Sequence, residues 1–154
     1  MGLYFEDIRV GDIREVGSRT VTREEILDFA RQFDPQPFHV DEEAARRSPF
    51  GGLIASGWHT AALCHSILVT ELLGEESGSL GSPGVDELRW VKPVRPGDTL
   101  SVHTEVLEVT PSRSKPGGLV KLRYTVRNQD GEDVMTLTGL GFFRRRDATP
   151  PVAG

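Results

Sequence analysis

The strongest constraint on the fold is a change of hydrophobic period near residue 84. Before it, residues 57–73 form a run that would be apolar on nearly every side of a helix, which is typical of a helix buried in the middle of a fold. After it, apolar residues alternate with polar ones, and glycine and proline mark turns between the runs. The alternating runs are 85–91, 99–109, 119–128 and 134–144. The pattern predicts one buried helix followed by four strands in an antiparallel meander.

The first third of the chain predicts a strand and two further helices. A strand is expected over 13–20, and a helix over 23–32 has Thr22 as its N-cap, with a glutamate three positions later in the capping-box pattern. A second, short helix is expected over 41–47, capped by Asp41. These elements precede the buried helix.

Together the elements predict an α+β domain in which one sheet wraps around the buried helix, the hot-dog arrangement. We expect one domain over residues 1–146 and a polar, proline-rich tail over 147–154 that frays. One sheet around one helix leaves an edge and a face to be covered. A dimer with a continuous sheet is therefore expected.

Composition narrows the function classes. The 154 residues include 18 Lys and Arg against 23 Asp and Glu, and this formal net charge of -5 disfavours nucleic acid and anionic lipid as partners. The single cysteine, Cys64, allows no intrachain disulfide. The N-terminal residues lack the pattern of a signal peptide, and no apolar run is long enough to span a membrane. We expect a cytoplasmic protein with no membrane partner.

The segment FDPQPFH at 33–39 carries the first candidate site. Its two prolines predict a turn instead of regular helix. Asp34 and His39 could converge across this turn on one proton or water, with Phe38 as an apolar wall, which is the arrangement of an acid/base pair. The alternative is a structural turn, in which Asp34 caps backbone N–H groups and His39 binds a buried carbonyl.

A second candidate feature is the predicted start of the buried helix at Gly57, preceded by Ser56 and by two glycines at 51–52. The N-terminus of a helix offers unpaired N–H groups and the positive end of the helix dipole, which stabilise a developing oxyanion. A glycine there allows close approach of a ligand. An ordinary junction between loop and helix is the alternative interpretation.

These segments carry a family resemblance. FDPQPFHVD at 33–41, FGGLIASGW at 50–58 and KPVRPGDTL at 92–100 together resemble the MaoC-like acyl dehydratases, relatives of the (R)-specific enoyl-CoA hydratases. The family pattern of Asp, any residue, Asn, Pro, an apolar residue and His maps onto residues 34–39. The resemblance covers roughly residues 22–109, and three linked motifs in the same order make it fairly specific.

The resemblance implies a hot-dog enzyme that acts on acyl thioesters of coenzyme A. Asp34 and His39 would activate a water that adds to C3 of a trans-2-enoyl thioester, and the N–H of Gly57 would polarise the thioester carbonyl. The family is usually a homodimer or a dimer of dimers. Coenzyme A would enter as part of the substrate, and we expect neither a metal nor a redox cofactor. The residues that we expect to contact substrate are Gln36, Phe38, Ser56 and Trp58.

Residue 36 departs from the family pattern. The family has Asn where this chain has Gln36, a carboxamide on a stem one methylene longer. Any hydrogen bond that orients the catalytic residues must therefore have a shifted geometry. This departure favours an unusual acyl group, and it leaves the acid/base pair in place.

Other candidate sites are weaker. His59 and His65 lie six residues apart, about 120° around a helix, so they do not share a face as a metal pair requires. Cys64 is interpreted as a small core residue, because adjacent helical residues point in different directions and give it no base. The arginines at 144–146 are either contacts for the phosphates of coenzyme A or a solvated basic end.

Two alternatives to a hydratase stay open. A hot-dog thioesterase would aim water at the thioester carbonyl. Such enzymes usually lack an Asp and a His paired on one turn, as Asp34 and His39 are expected to be here. A non-catalytic acyl-CoA-binding subunit would explain Gln36 as drift from the family pattern.

Overall fold

The computed structural model describes residues 2–148, so residues 149–154 of the expected tail lie outside the described residues. The expectation of one domain over 1–146 with a fraying tail stays a prediction. The strands are β1 (Ile13–Thr20), β2 (Val85–Trp90), β3 (Thr99–Pro111), β4 (Gly117–Arg127) and β5 (Asp133–Arg144). The α-helices are α1 (Arg23–Phe33), α2 (Pro37–Val40), α3 (Glu42–Arg46) and α4 (Gly57–Leu68).

The strands form one five-stranded antiparallel sheet in the order β1-β3-β4-β5-β2. The prediction of a four-strand meander is therefore wrong, because β2 lies beyond β5 and does not pair with β3. The segment 91–98 between β2 and β3 is not a hairpin turn. It crosses the fold, and Val94 accepts a hydrogen bond from Ala55 while Asp98 accepts one from Val21. Only β3, β4 and β5, which are joined by short turns, form a meander.

Helix α4 packs one face into the core against the sheet. The residues buried on this face are His59, Thr60, Leu63, Cys64, Ile67 and Leu68. The opposite side is open, with Trp58 57% exposed, so burial on nearly every side is not found in the single chain. The α-helix also ends earlier than predicted, and a π-helical turn continues it over Val69–Leu73. One antiparallel sheet packed around one long helix is the α+β hot-dog fold.

Gly17 lets α4 lie close to β1. An added Cβ at this position would lie 3.1 Å from Ile67 Cγ2 and 3.0 Å from Glu71 Cγ. The register of β1 against β3 shifts between Glu15 and Gly17. The strand pairing is therefore irregular at the point where the helix packs closely against β1.

Helix α1 leads directly to the candidate site. Thr22 Oγ1 accepts a hydrogen bond of 3.2 Å from the N–H of Glu25, which confirms the predicted N-cap. The apolar face of the helix buries Ile26 and Ala30 in the core. Because α1 is anchored along this face, the residue that follows it, Asp34, has a defined position.

The segment after α1 corrects the prediction of a simple turn over 33–39. Pro37 begins the short helix α2, which contains Phe38 and His39. Proline is accepted in the first turn of a helix because the N–H that it lacks would have no partner there. Irregular backbone is thus confined to 34–36. Asp41 caps α3 as predicted, accepting two backbone hydrogen bonds.

A stacked pair of rings joins α1 to α4. Phe29 and His59 lie 4.8 Å apart between ring centroids, with an angle of 9° between their planes. Nδ1 of His59 is buried and has no hydrogen-bond partner among the described residues. Burial lowers the pKa of His59, the charge of Glu25 opposes this, and the charge of Arg19 adds to it. The folded protein therefore favours the neutral ring.

This burial predicts a pH dependence of stability. Histidine in the unfolded chain takes up its proton near pH ~6.5, whereas His59 in the folded chain does so only at lower pH. Protons therefore favour the unfolded state, and the free energy of unfolding falls as the pH drops below about 6.5. His59→Phe removes this contribution, so its urea-derived stability should fall less than that of the parent between about pH 6.5 and 5. Equal losses in both proteins would contradict the prediction.

Candidate active site

The end of α1, helix α2, the start of α4 and the segment after β2 enclose a cavity of about 400 Å³. The wall includes one acidic carboxylate, one histidine and a set of aromatic rings. The residues that line the cavity include Asp34, Gln36, Phe38, His39, Gly57, Trp58 and Trp90. Most of the residues predicted from the three motifs therefore meet at one place.

Asp34 and His39 face each other in this cavity. Oδ2 of Asp34 lies 3.3 Å from Nε2 of His39. The side chains are 17% and 6% exposed, so both are largely removed from water. The break after α1 and the first turn of α2 bring the two side chains together although five positions separate them in the sequence.

The other ring nitrogen of His39 fixes its orientation. Nδ1 lies 2.7 Å from the carbonyl oxygen of Ile54, and a carbonyl can only accept, so Nδ1 carries a hydrogen. In the neutral ring, the lone pair of Nε2 then points towards Asp34. The sequence also allowed a purely structural role for His39, in which the ring binds a buried carbonyl. This contact is present too, and it uses Nδ1, the ring nitrogen that does not face Asp34.

Two side chains hold the carboxylate of Asp34. The hydroxyl of Ser56 donates to Oδ2 at 2.7 Å, and the amide of Gln36 donates to Oδ1 at 2.7 Å. Burial works to raise the pKa of Asp34, but these two hydrogen bonds and the charge of His39 outweigh it. The pKa of Asp34 is therefore lowered, and at neutral pH its oxygens act as acceptors.

When the ring of His39 is neutral, Oδ2 of Asp34 and Nε2 of His39 are two acceptors 3.3 Å apart, and when the ring is protonated, Nε2 donates towards Asp34. Two acceptors this close repel each other unless a hydrogen lies between them or a bridging molecule donates to both. A water molecule can do so, because it has two hydrogens to give and keeps its oxygen lone pairs for a third partner. The arrangement can therefore hold a water, accept a proton from it and give the proton back.

The start of α4 forms another wall of the cavity. The helix begins at Gly57 as predicted, and the first N–H groups of a helix have no acceptor within it. Trp90 covers the glycine: its indole N–H donates to the Gly57 carbonyl at 2.8 Å. An added Cβ at residue 57 would lie only 2.3 Å from the indole ring, so a glycine is required here by the close approach of Trp90.

The expected substrate contacts differ in their surroundings. Ser56 is fully buried and its hydroxyl bonds Asp34, so it positions the carboxylate and does not cap α4 with its side chain. Gln36 lines the cavity and also bonds Asp34. Phe38 packs edge-on against the ring of His39, with centroids 4.6 Å apart. Trp58 is exposed at the mouth of the cavity, in a T-shaped contact with Trp90.

Trp90 is the wall residue that sequence reasoning missed. It ends β2, directly before the KPVRPGD segment that contributed to the family resemblance. That segment carried no assigned role. Its position in the structure explains the motif, since Lys92, Pro93 and Val94 line the cavity next to the tryptophan. The sequence signal that could have identified this wall residue was a tryptophan next to a motif of the family resemblance.

A second, larger cavity of about 680 Å³ lies along the open side of α4. It is bounded by apolar side chains of the helix and of the inward face of the sheet. Trp58 lines both cavities, so they adjoin at this residue. The remaining wall residues include His65, Leu68, Leu72, Tyr124 and Leu137, together with Ser77, Ser79 and Ser82 from the loop over 74–84.

The arginines at 144–146 are bound within the chain. Arg146 pairs with Glu6 and Asp7, and Arg145 lies over the ring of Phe5. They lie at the end of β5 that is distant from Val134, which lines the candidate site. Arg145 and Arg146 are exposed, as expected of a solvated basic end, and none of the three lines the cavity at Asp34.

In residues 2–148, no cluster of three or more His, Cys, Asp or Glu side chains has the geometry to hold a metal ion. Over the same residues, no helix is both long and apolar enough to cross a bilayer. Burial raises the pKa of the Cys64 thiol to about 12, which fits its interpretation as a core residue.

A family model described as the MaoC like domain matches residues 10–128. The chain belongs to the MaoC-like domain family. Asp34, His39 and Gly57 thus lie within the matched part of this MaoC-like chain.

Relatives and solved structures agree with this assignment. The chain is 36% identical over 114 residues to 3-hydroxybutyryl-CoA dehydratase of Methylorubrum extorquens, covering 73% of this chain and 69% of the relative. An uncharacterized Bacillus subtilis protein, YdeM, is 32% identical over 129 residues, which cover 83% and 90% of the two chains. The crystal structure of a MaoC-like dehydratase from Rhodospirillum rubrum superimposes with a TM-score of 0.88 at 47% identity, covering 96% of this chain and 100% of that one. The unliganded R-hydratase PhaJ1 of Pseudomonas aeruginosa gives 0.79 at 26% identity, covering 99% and 96%.

The contact between Gly57 and Trp90 predicts a specific effect of a small substitution. Gly57→Ala must displace the indole ring, so we expect a shift in tryptophan fluorescence and a loss of stability of about 1–3 kcal/mol from overpacking. Gly52→Ala is the matched control, because its added Cβ would meet only Arg95 Nη1, at 3.5 Å. Indistinguishable fluorescence spectra of Gly57→Ala and the parent would refute this account of the wall.

Proposed function

We propose that this chain is a hydratase that interconverts trans-2-enoyl-CoA and (R)-3-hydroxyacyl-CoA. The observation that carries the proposal is the Asp34–His39 pair, whose Oδ2 and Nε2 lie 3.3 Å apart in a cavity at the start of a helix. Membership of the MaoC-like family and relatives named 3-hydroxybutyryl-CoA dehydratase and (R)-specific enoyl-CoA hydratase support it. The stereochemistry rests on the family alone.

In the proposed reaction, the pair holds a water and takes one proton from it. The water oxygen forms a bond to C3 as the C2–C3 π bond breaks, and the proton is returned to C2. Nothing is oxidised or reduced, so no redox cofactor is needed. Asp34 keeps its acceptor role at neutral pH because Ser56 and Gln36 lower its pKa below the ordinary value, although burial opposes them.

The proposed role of Gly57 is electrostatic. As C3 is attacked, negative charge moves to the thioester oxygen, and an N–H at the start of α4 can donate to this oxygen. The helix dipole adds a partial positive charge of roughly half an elementary unit at the same end. Trp90 packs where a Cβ of residue 57 would lie, and the half-buried glycine itself lines the cavity.

The substrate walls follow from the two cavities. Phe38 and Trp58 would bound the reacting part of the acyl group, and the apolar cavity that adjoins at Trp58 would take the remainder of the chain. Coenzyme A is proposed only as part of the thioester.

The proposed assembly is a homodimer or a dimer of dimers. Strand β2 has a free edge beyond β5, and Trp58, Trp90 and Val91 beside it are largely exposed in the single chain. Pairing two such edges would extend the sheet and cover these side chains. The homo-oligomer and a cytoplasmic location stay predictions.

The direct test is hydration of crotonyl-CoA and of longer or branched enoyl-CoAs, followed by loss of the absorbance of the conjugated thioester. Asp34→Asn and His39→Gln should each lower kcat/KM by about 10²-fold or more, because each removes one member of the acid/base pair. Asp28→Asn and His103→Gln are matched controls outside the cavity and should retain the parent's rate.

The outcomes separate the alternatives. Release of free thiol without hydration would assign a thioesterase. Binding of acyl-CoA without either reaction would assign a non-catalytic subunit. Hydration that survives both pair substitutions would reject the Asp34–His39 mechanism.

A further inference from the structure

Gln36 contacts both members of the Asp34–His39 pair. Its side-chain amide donates to Oδ1 of Asp34 at 2.7 Å. Its backbone N–H donates to the Asp34 carbonyl at 2.9 Å, and its carbonyl accepts from the N–H of His39 at 2.9 Å. Gln36 is therefore hydrogen-bonded once to the Asp34 side chain and twice to the backbone of the two reacting residues.

The side-chain bond controls the rotation of the carboxylate. Ser56 donates to Oδ2, the same oxygen that faces His39. A bond to one oxygen still allows the carboxylate plane to turn about that oxygen. The bond from Gln36 to the second oxygen removes this freedom, so both contacts together define which lone pairs face the cavity.

The length of the side chain is critical because the backbone at residue 36 is held. Pro35 and Pro37 flank it, and proline restricts its own φ angle and the conformation of the residue before it. From this backbone, an asparagine amide would lie about 1.5 Å further back, the length of one C–C bond. A hydrogen bond of 2.7 Å would then be lost. The glutamine that departs from the family pattern is thus the residue that reaches Asp34.

We propose that Gln36 is a positioning residue whose side-chain length holds the Asp34 carboxylate in the orientation that faces His39. The inference rests on the proposed hydratase function and extends it to a residue that does not itself transfer the proton. Gln36 is exposed at the cavity rim, so its replacement is expected to leave the core intact.

Three variants test the proposal. Gln36→Met keeps the approximate length but has no donor, and Gln36→Asn keeps the donor but is shorter. Gln129→Met is the matched control, because Gln129 makes an equivalent exposed bond of 3.0 Å to Asp98 outside the cavity. The pH dependence of kcat and KM is measured for each variant, and the carboxyl carbon of Asp34 is titrated by NMR without substrate.

Both Gln36 variants should lower kcat by about tenfold, because the charge-assisted hydrogen bond from residue 36 to Asp34 is lost. The acid limb of kcat and the NMR midpoint of Asp34 should move up by about half to one pH unit, because one of the donors that favours the ionised carboxylate is gone. Gln129→Met should show neither change.

Unchanged kcat and acid limb in Gln36→Asn would overturn the length requirement. An unchanged NMR midpoint in Gln36→Met would overturn the positioning role, and so would equal effects in the Gln129 control. The NMR titration needs no substrate, so it decides this inference even if the parent hydrates no enoyl-CoA. A parent protein that hydrates no enoyl-CoA would reject the proposed function, independently of this inference.

Discussion

The hydrogen bond from Ser56 to Asp34 joins the two parts of the structure that the site needs. Ser56 is fully buried and immediately precedes α4, while Asp34 immediately follows α1. Their 2.7 Å contact fixes the end of one helix against the start of the other. Asp34 and the N–H of Gly57 consequently lie in one cavity, although more than twenty residues separate them in the sequence.

The rest of the fold holds these two helix ends in position. The buried faces of α1 and α4 anchor each helix in the core, and the ring stack of Phe29 on His59 joins them directly. On the other side, Trp90 at the end of β2 packs on Gly57 and closes the wall. The site thus depends on the strand at the edge of the sheet as much as on the helices.

The elements of this fold are local in origin and were largely predictable. The Thr22 cap, the change of hydrophobic period and the turn residues correctly located α1, the start of α4 and all five strands. The order of the strands was predicted wrongly, as a four-strand meander, because the partner of β2 depends on the path of 91–98 across the fold. Sequence also could not assign the hydroxyl of Ser56 to Asp34, since that contact spans 22 residues and involves no periodic pattern.

In the proposed reaction, Asp34 and His39 direct a water to C3 of an enoyl thioester. Mass spectrometry of the products formed from enoyl-CoA in H₂¹⁸O tests this reaction. The label is expected in the hydroxyl group of an intact 3-hydroxyacyl-CoA. Label found instead in the carboxylate of a released acid, with the thioester cleaved, would contradict it.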